Sequence, residues 1–145
     1  MVLNFDSDTG YLPPGTHVMT WEYFSHHFGF NGHRVRLLEG LLEALRNLAR
    51  AGCRSVLLNG SFVSNKELPE DYDGAWYTMG VDVQRLDPVL LDFSRSRSAM
   101  KSKYLGELFP TGAMATRGVI YEDFFKTDRN NIPKGIVHID LATLP

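Results

Sequence analysis

Cysteine is almost absent: Cys53 stands alone, so the chain cannot close a disulfide on itself. That usage suits a reducing compartment, and the expected location is the cytoplasm. Long apolar runs are missing as well, and none approaches the ~18 consecutive residues that cross a bilayer. The residues up to Gly15 include Asp6 and Asp8 but no Lys or Arg, unlike a secretory signal. An excess of one charge is also missing. Fifteen Lys and Arg against seventeen Asp and Glu leave a formal net charge of −2. Proteins that grip duplex DNA through their bulk field carry a basic excess. No duplex DNA is therefore expected here, and any phosphate must be held locally. The five histidines and one cysteine form no HExxH motif and no paired Cys/His spacing, which argues against structural zinc. There is no GxSxG elbow, and Ser61 runs into Phe62 and Val63, which argues against a hydrolase of that kind.

At 145 residues, 43% hydrophobic and 22% charged, the chain is sized and composed as one ordinary globular domain. Residues 1–18, punctuated by Gly10, Pro13, Pro14 and Gly15, read as an irregular arm. Thr20 is placed to cap a short helix over 21–28, with Trp21, Phe24 and Phe28 on one face. Leu38, Leu41, Leu42, Leu45 and Leu48 give residues 33–51 the 3.6-residue period of a long helix, stopped at Gly52. A buried strand over 55–58 comes next, then a second over 71–79. Asp87-Pro88 signals a helix start leading through Leu91 and Phe93. Residues 94–118 carry no clear pattern, 121–126 suggest a short helix, and 135–141 read as a last strand. This order predicts an α+β domain, a small mixed β-sheet covered by helices. Residues 1–52 would supply an arm and helices, and 53–145 the core.

Three features point to phosphate chemistry. Gly60-Ser61 directly follows a buried strand, where glycine admits close backbone approach and a hydroxyl with adjacent amides can hold a phosphate. Asp71 and Asp73 alternate in a strand and so project from one face. Two adjacent carboxylates repel unless a cation neutralises them, and magnesium is the natural oxygen-seeking partner. Asp140 lies in a β-branched strand, on the face opposite Val137, Ile139 and Leu141. It is preferred to Asp82 as a third carboxylate, because Asp82 follows Gly80 where a strand should be ending. Two cations among three carboxylates can clamp both oxygens of an in-line phosphoryl displacement.

Arg95, Arg97, Lys101 and Lys103 place four positive charges within nine residues, able to face a triphosphate or an RNA backbone. Lys66, between Ser61 and Asp71, is a further phosphate contact in this reading. His138 stands beside Asp140, as a proton relay or as a strand-face histidine satisfied by a neighbour. Cys53 reads as a small buried residue.

With Gly60-Ser61, the gap to Asp71-x-Asp73 and the distant Asp140, the chain resembles the polymerase-beta-type nucleotidyltransferase superfamily in its minimal form. Leu12-Pro13-Pro14-Gly15-x-His17, Arg34-x-Arg36-Leu37, Ala51-Gly52-Cys53, Gly60-Ser61-Phe62-Val63, Pro69-x-Asp71-Tyr72-Asp73 and Lys134-Gly135-Ile136-Val137-x-Ile139-Asp140-Leu141 also resemble elements of a family of small bacterial nucleotidyltransferase-like proteins with no assigned activity. The resemblance implies a nucleotidyltransferase-like fold with an N-terminal helical extension. It implies that Ser61 touches the β- or γ-phosphate of a nucleoside triphosphate and that Asp71 and Asp73 bind two Mg2+ ions, or Mn2+. Asp140 would complete the metal site and help deprotonate an acceptor hydroxyl on a protein, RNA or small molecule. The alternative it leaves open is a regulatory partner, such as the antitoxin beside a partner toxin in a toxin–antitoxin or phage-defence system.

Overall fold

Both N-terminal helices begin where a short polar side chain meets the first free amides. In a computed structural model that describes residues 4–111, 114–116, 119–120, 130 and 132–145, Thr20 Oγ1 accepts from the Tyr23 amide at 3.1 Å and opens α1 (Trp21–Phe28). Asn31 Oδ1 accepts from the Arg34 amide at 2.8 Å and opens α2 (Gly32–Arg50). α1 buries Trp21, Phe24 and Phe28, and α2 buries Leu37, Leu38, Leu41, Leu45 and Leu48. At roughly 1.5–3 kcal/mol per fully buried large apolar side chain, these stripes supply much of the drive to fold.

The helices cover one face of a five-stranded mixed sheet, so the fold is α+β. Its strands are β1 (Gly15–Met19), β2 (Ser55–Asn59), β3 (Tyr72–Trp76), β4 (Gly106–Pro110) and β7 (Gly135–Asp140), in the order β1-β7-β2-β3-β4. β1 runs parallel to β7 and β3 parallel to β4, while β2 is antiparallel to both β7 and β3. β5 (Met114–Thr116) and β6 (Val119–Ile120) form a separate two-stranded pair. α3 (Ser94–Tyr104) leads into β4. Val56, Leu58, Tyr72, Trp76, Leu108, Val137 and Ile139 join the helices in the main core, while Leu57, Ala75 and Ile136 form a small apolar cluster on the other face.

Three expectations change. Residues 15–19 are an edge strand rather than part of an irregular arm. Pro13 and Pro14 stop just short of it, and an edge strand needs ladder bonds on one side only. The second strand is shorter than 71–79, ending at Trp76. Asp87 does act as a cap, accepting from the Val89 amide, but it opens a 3₁₀ turn over Pro88–Leu91 in place of the expected helix. The helix expected over 121–126 lies outside the described residues. Cys53 is the small buried residue expected, its thiol donating to the carbonyls of Ser55 and Tyr77, both at 3.4 Å.

Candidate functional site

Register brings a row of oxygen-bearing side chains together on the sheet face away from the helices. Asn59 pairs with Asp73 across β2 and β3, and Asp73 pairs with Glu107 across β3 and β4. Directly opposed residues share a face, so the three stand side by side. Asp71 precedes Asp73 by two residues, with the same parity. Gly60 closes one end of the row. A Cβ there would lie 2.7 Å from Asp73 Oδ2, and its φ of 81° is one that L side chains rarely adopt, so only glycine lets this turn sit against the carboxylate. Asn59 is buried, and its Oδ1 has no hydrogen-bond partner among the described residues.

The electrostatics mark the same place. Burial, then the charges of Asp71 and Glu107, then a side-chain hydrogen bond with Glu107, push the Asp73 carboxyl up to about 7, with Lys134 opposing them. Asp71 is raised by burial and by Glu107, with Lys101 opposing. Among the described residues, three cations stand near the carboxylates. Arg97 donates from Nε at 3.3 Å and Nη2 at 3.2 Å to Glu107 Oε1, and Lys101 Nζ lies 2.9 Å from the same oxygen. Lys134, just ahead of β7, acts on Asp73.

Arg97 reaches Glu107 from unusual backbone. Arg95, Ser96 and Arg97 hold φ of 51°, 55° and 61°, a left-handed turn inside α3. For non-glycine residues this costs roughly 1–2 kcal/mol each.

Behind the Gly60–Ser61 turn stands Arg34, fully buried. Its guanidinium donates to the carbonyls of Phe28, Ser61, Phe62, Ser64 and Lys66 over 2.7–3.3 Å, and lies over the rings of Phe30 and Phe62. Burial lowers its pKa to about 10, so it stays charged at neutral pH. In a trans peptide the next amide points opposite to its carbonyl. With the Ser61 carbonyl drawn to Arg34, the Phe62 N–H is turned the other way. Arg34 thus shapes the turn from inside.

The structure brings together Gly60, Ser61, Asp71, Asp73 and Lys101 at this end of the sheet, but not Asp140. β7 is antiparallel to β2, so Asp140 pairs with Ser55 at the start of β2 while Asp73 pairs with Asn59 at its end. Four residues of strand, roughly 13 Å, separate the two levels, besides the two strand spacings between β7 and β3. Asp140 instead caps the 3₁₀ turn after it, accepting from the Ala142 amide at 2.9 Å. The end of β7 that reaches the site carries Lys134. A cleft of about 590 Å3 lies around Asp140, lined also by Arg54, Ser55 and His138, but among the described residues Asp140 is the only carboxylate in it. His138 has a buried Nδ1 without a partner among the described residues and packs against Tyr77, so it is not at the carboxylate row. Lys103 turns the other way, pairing with Asp87 rather than Glu107. Lys66 is exposed; its carbonyl serves Arg34. Asp82 caps a 3₁₀ turn through the Gln84 amide.

Glu107 is the residue that the sequence reading misses. It sits in Leu105-Gly106-Glu107-Leu108-Phe109, a carboxylate within a short apolar run like the one that drew attention to Asp140. Among the described residues, no three His, Cys, Asp or Glu side chains stand close enough together to hold a metal ion as they are. The donor chemistry still fits a hard cation. The carboxylates offer oxygen only, and a raised Asp73 beside two like charges gains most from an added positive one.

Among the described residues, no helix is long and apolar enough to cross a membrane. No curated protein and no solved structure matches the chain. One family model covers nearly all of it: matching residues 3–140, it places the chain in a family of unknown function, DUF6932, to which this protein belongs.

Proposed function

We propose that the chain is a divalent-cation-dependent nucleotidyltransferase of the polymerase-beta type, moving a nucleoside monophosphate from a triphosphate to a hydroxyl acceptor. The observation that carries this reading is the seating of the Gly60–Ser61 turn directly on Asp73, in the row that continues to Glu107. Asp71, Asp73 and Glu107 would hold Mg2+ or Mn2+. When bound, the cation supplies charge neutralisation for the triphosphate and for the developing alkoxide. The Ser61 hydroxyl and the outward Phe62 amide hold a phosphate, and Lys101 and Lys134 add charge beside it. Asn59 offers a neutral oxygen to the same row. The acceptor is a protein, RNA or small-molecule hydroxyl brought by a partner, and the protein's contribution is positioning and preorganised charge.

Incubation with labelled ATP, CTP, GTP and UTP, MgCl2 and cell lysate should give label transfer that Asp71→Ala/Asp73→Ala abolishes and Glu107→Gln lowers at least a hundredfold. Asp140→Asn should leave transfer within about twofold of wild type. Equal transfer by wild type and Asp71→Ala/Asp73→Ala, or loss in Asp140→Asn alone, would overturn the assignment.

A further inference from the structure

The left-handed turn poses a physical question that the transferase reading does not answer. On its C-terminal side the chain is right-handed helix to Tyr104. Asp92 Oδ1 accepts from the Ser94 amide at 3.0 Å and also takes the Ser94 hydroxyl, closing an Asx turn ahead of α3. Phe93, just ahead of α3, sits in the bridge region at φ −95° and ψ 4°, and Arg95, Ser96 and Arg97 are the non-helical residues at the start of α3, which runs on to Tyr104. All three are non-glycine residues, which avoid this conformation unless something holds them. At the end of the turn Arg97 is anchored: Nε and Nη2 donate to Glu107 Oε1, and the guanidinium lies 5.7 Å from the centre of the Phe109 ring.

The charges around Glu107 suggest why that hold is temporary. Among the described residues, Arg97 and Lys101 both reach Glu107 Oε1, and Lys134 acts on Asp73. A divalent cation arriving at Asp73 and Glu107 would repel the side-chain cations that now reach Glu107. A triphosphate then offers those cations a new anionic partner.

We propose that Arg97 is a place-holding counter-ion for Glu107. In the cation-free protein it is latched there through the left-handed turn. When a divalent cation occupies the carboxylates it lets go, the turn rewinds into right-handed helix continuous with α3, and Arg97 passes to the triphosphate as a positioning residue. This deepens the proposed function and rests on its cation site.

The test uses the full chain without nucleotide. Mn2+ affinity is measured at pH 8 by electron paramagnetic resonance for wild type, Ser96→Gly and Arg97→Gln, and the backbone φ of residues 95–97 is followed by NMR couplings during Mg2+ titration. Glycine tolerates the left-handed turn and disfavours the rewound helix, so Ser96→Gly should weaken Mn2+ roughly tenfold. Arg97→Gln removes the competitor at Glu107 and should tighten it several-fold. The φ angles should change sign as Mg2+ saturates. Equal Mn2+ affinity in all three proteins, or positive φ retained at saturating Mg2+, would overturn the latch and leave the transferase reading standing. Binding of no Mn2+ by any of them would overturn both.

Discussion

Asp73→Asn should make the cation-free protein more stable than wild type above pH 7, by about 2–4 kcal/mol. The Asp73 carboxyl is raised from an ordinary 3.8 to about 7, chiefly by burial, then by Asp71 and Glu107. The folded state therefore holds a proton that the unfolded chain has already released. Stability from this group is fully present below about pH 4, falls as pH rises from there to about 7, and is gone above. Asp71, raised for the same reasons, adds to the slope. Asn cannot ionise, so the variant escapes the loss. Saturating MgCl2 should reverse the order at pH 8, because it stabilises only the protein that binds it. Urea midpoints at pH 5, 6, 7 and 8, with and without MgCl2, measure this. A wild type whose stability is flat across that range, or an unchanged order with MgCl2, would contradict the electrostatics described.

Arg34→Leu should cost at least about 3 kcal/mol, the largest loss expected from any single exchange away from the carboxylates. It removes the guanidinium from the carbonyls of Phe28, Ser61, Phe62, Ser64 and Lys66, of which, among the described residues, Ser61 alone keeps other donors, the Ser64 amide and hydroxyl. Each orphaned buried acceptor costs about 1–3 kcal/mol unless water reaches it. Arg34→Lys keeps the charge but not the planar fork that serves several carbonyls at once, and should recover less than half of the loss. Chemical denaturation of the three proteins reads the effect directly. A loss below about 1 kcal/mol for Arg34→Leu would mean that the 61–66 turn is held by something else.

The sequence shows the helices and the central strands because their signals are local. Thr20 caps what it should, the leucines of α2 keep their period, and Ser55–Asn59 and Gly135–Asp140 stand out as apolar runs. The edge strand Gly15–Met19 is hidden because its pairing with β7 spans the whole chain and adjacent prolines mask it. The site divides along the same line. Alternation alone puts Asp71 and Asp73 on one face. It does not tell which third carboxylate joins them, because alternation gives the face of a strand and not the end at which a residue lands. Asp140 has the right face and the wrong end. Glu107 has both, but it lies in β4, behind a basic segment whose left-handed turn breaks any helical period. The role of Arg34 is hidden for a third reason: an arginine in an amphipathic helix ordinarily reads as solvated, and only the approach of the Gly60–Lys66 turn gives it four carbonyls beside that of Phe28.

Mn2+ titration of wild type, Glu107→Gln and Asp140→Asn at pH 8, followed by electron paramagnetic resonance, tests the central claim that one sheet end gathers Asp71, Asp73 and Glu107 around a cation. Glu107→Gln should weaken Mn2+ at least tenfold and Asp140→Asn should match wild type. Weakened binding in Asp140→Asn, with Glu107→Gln binding like wild type, would contradict it.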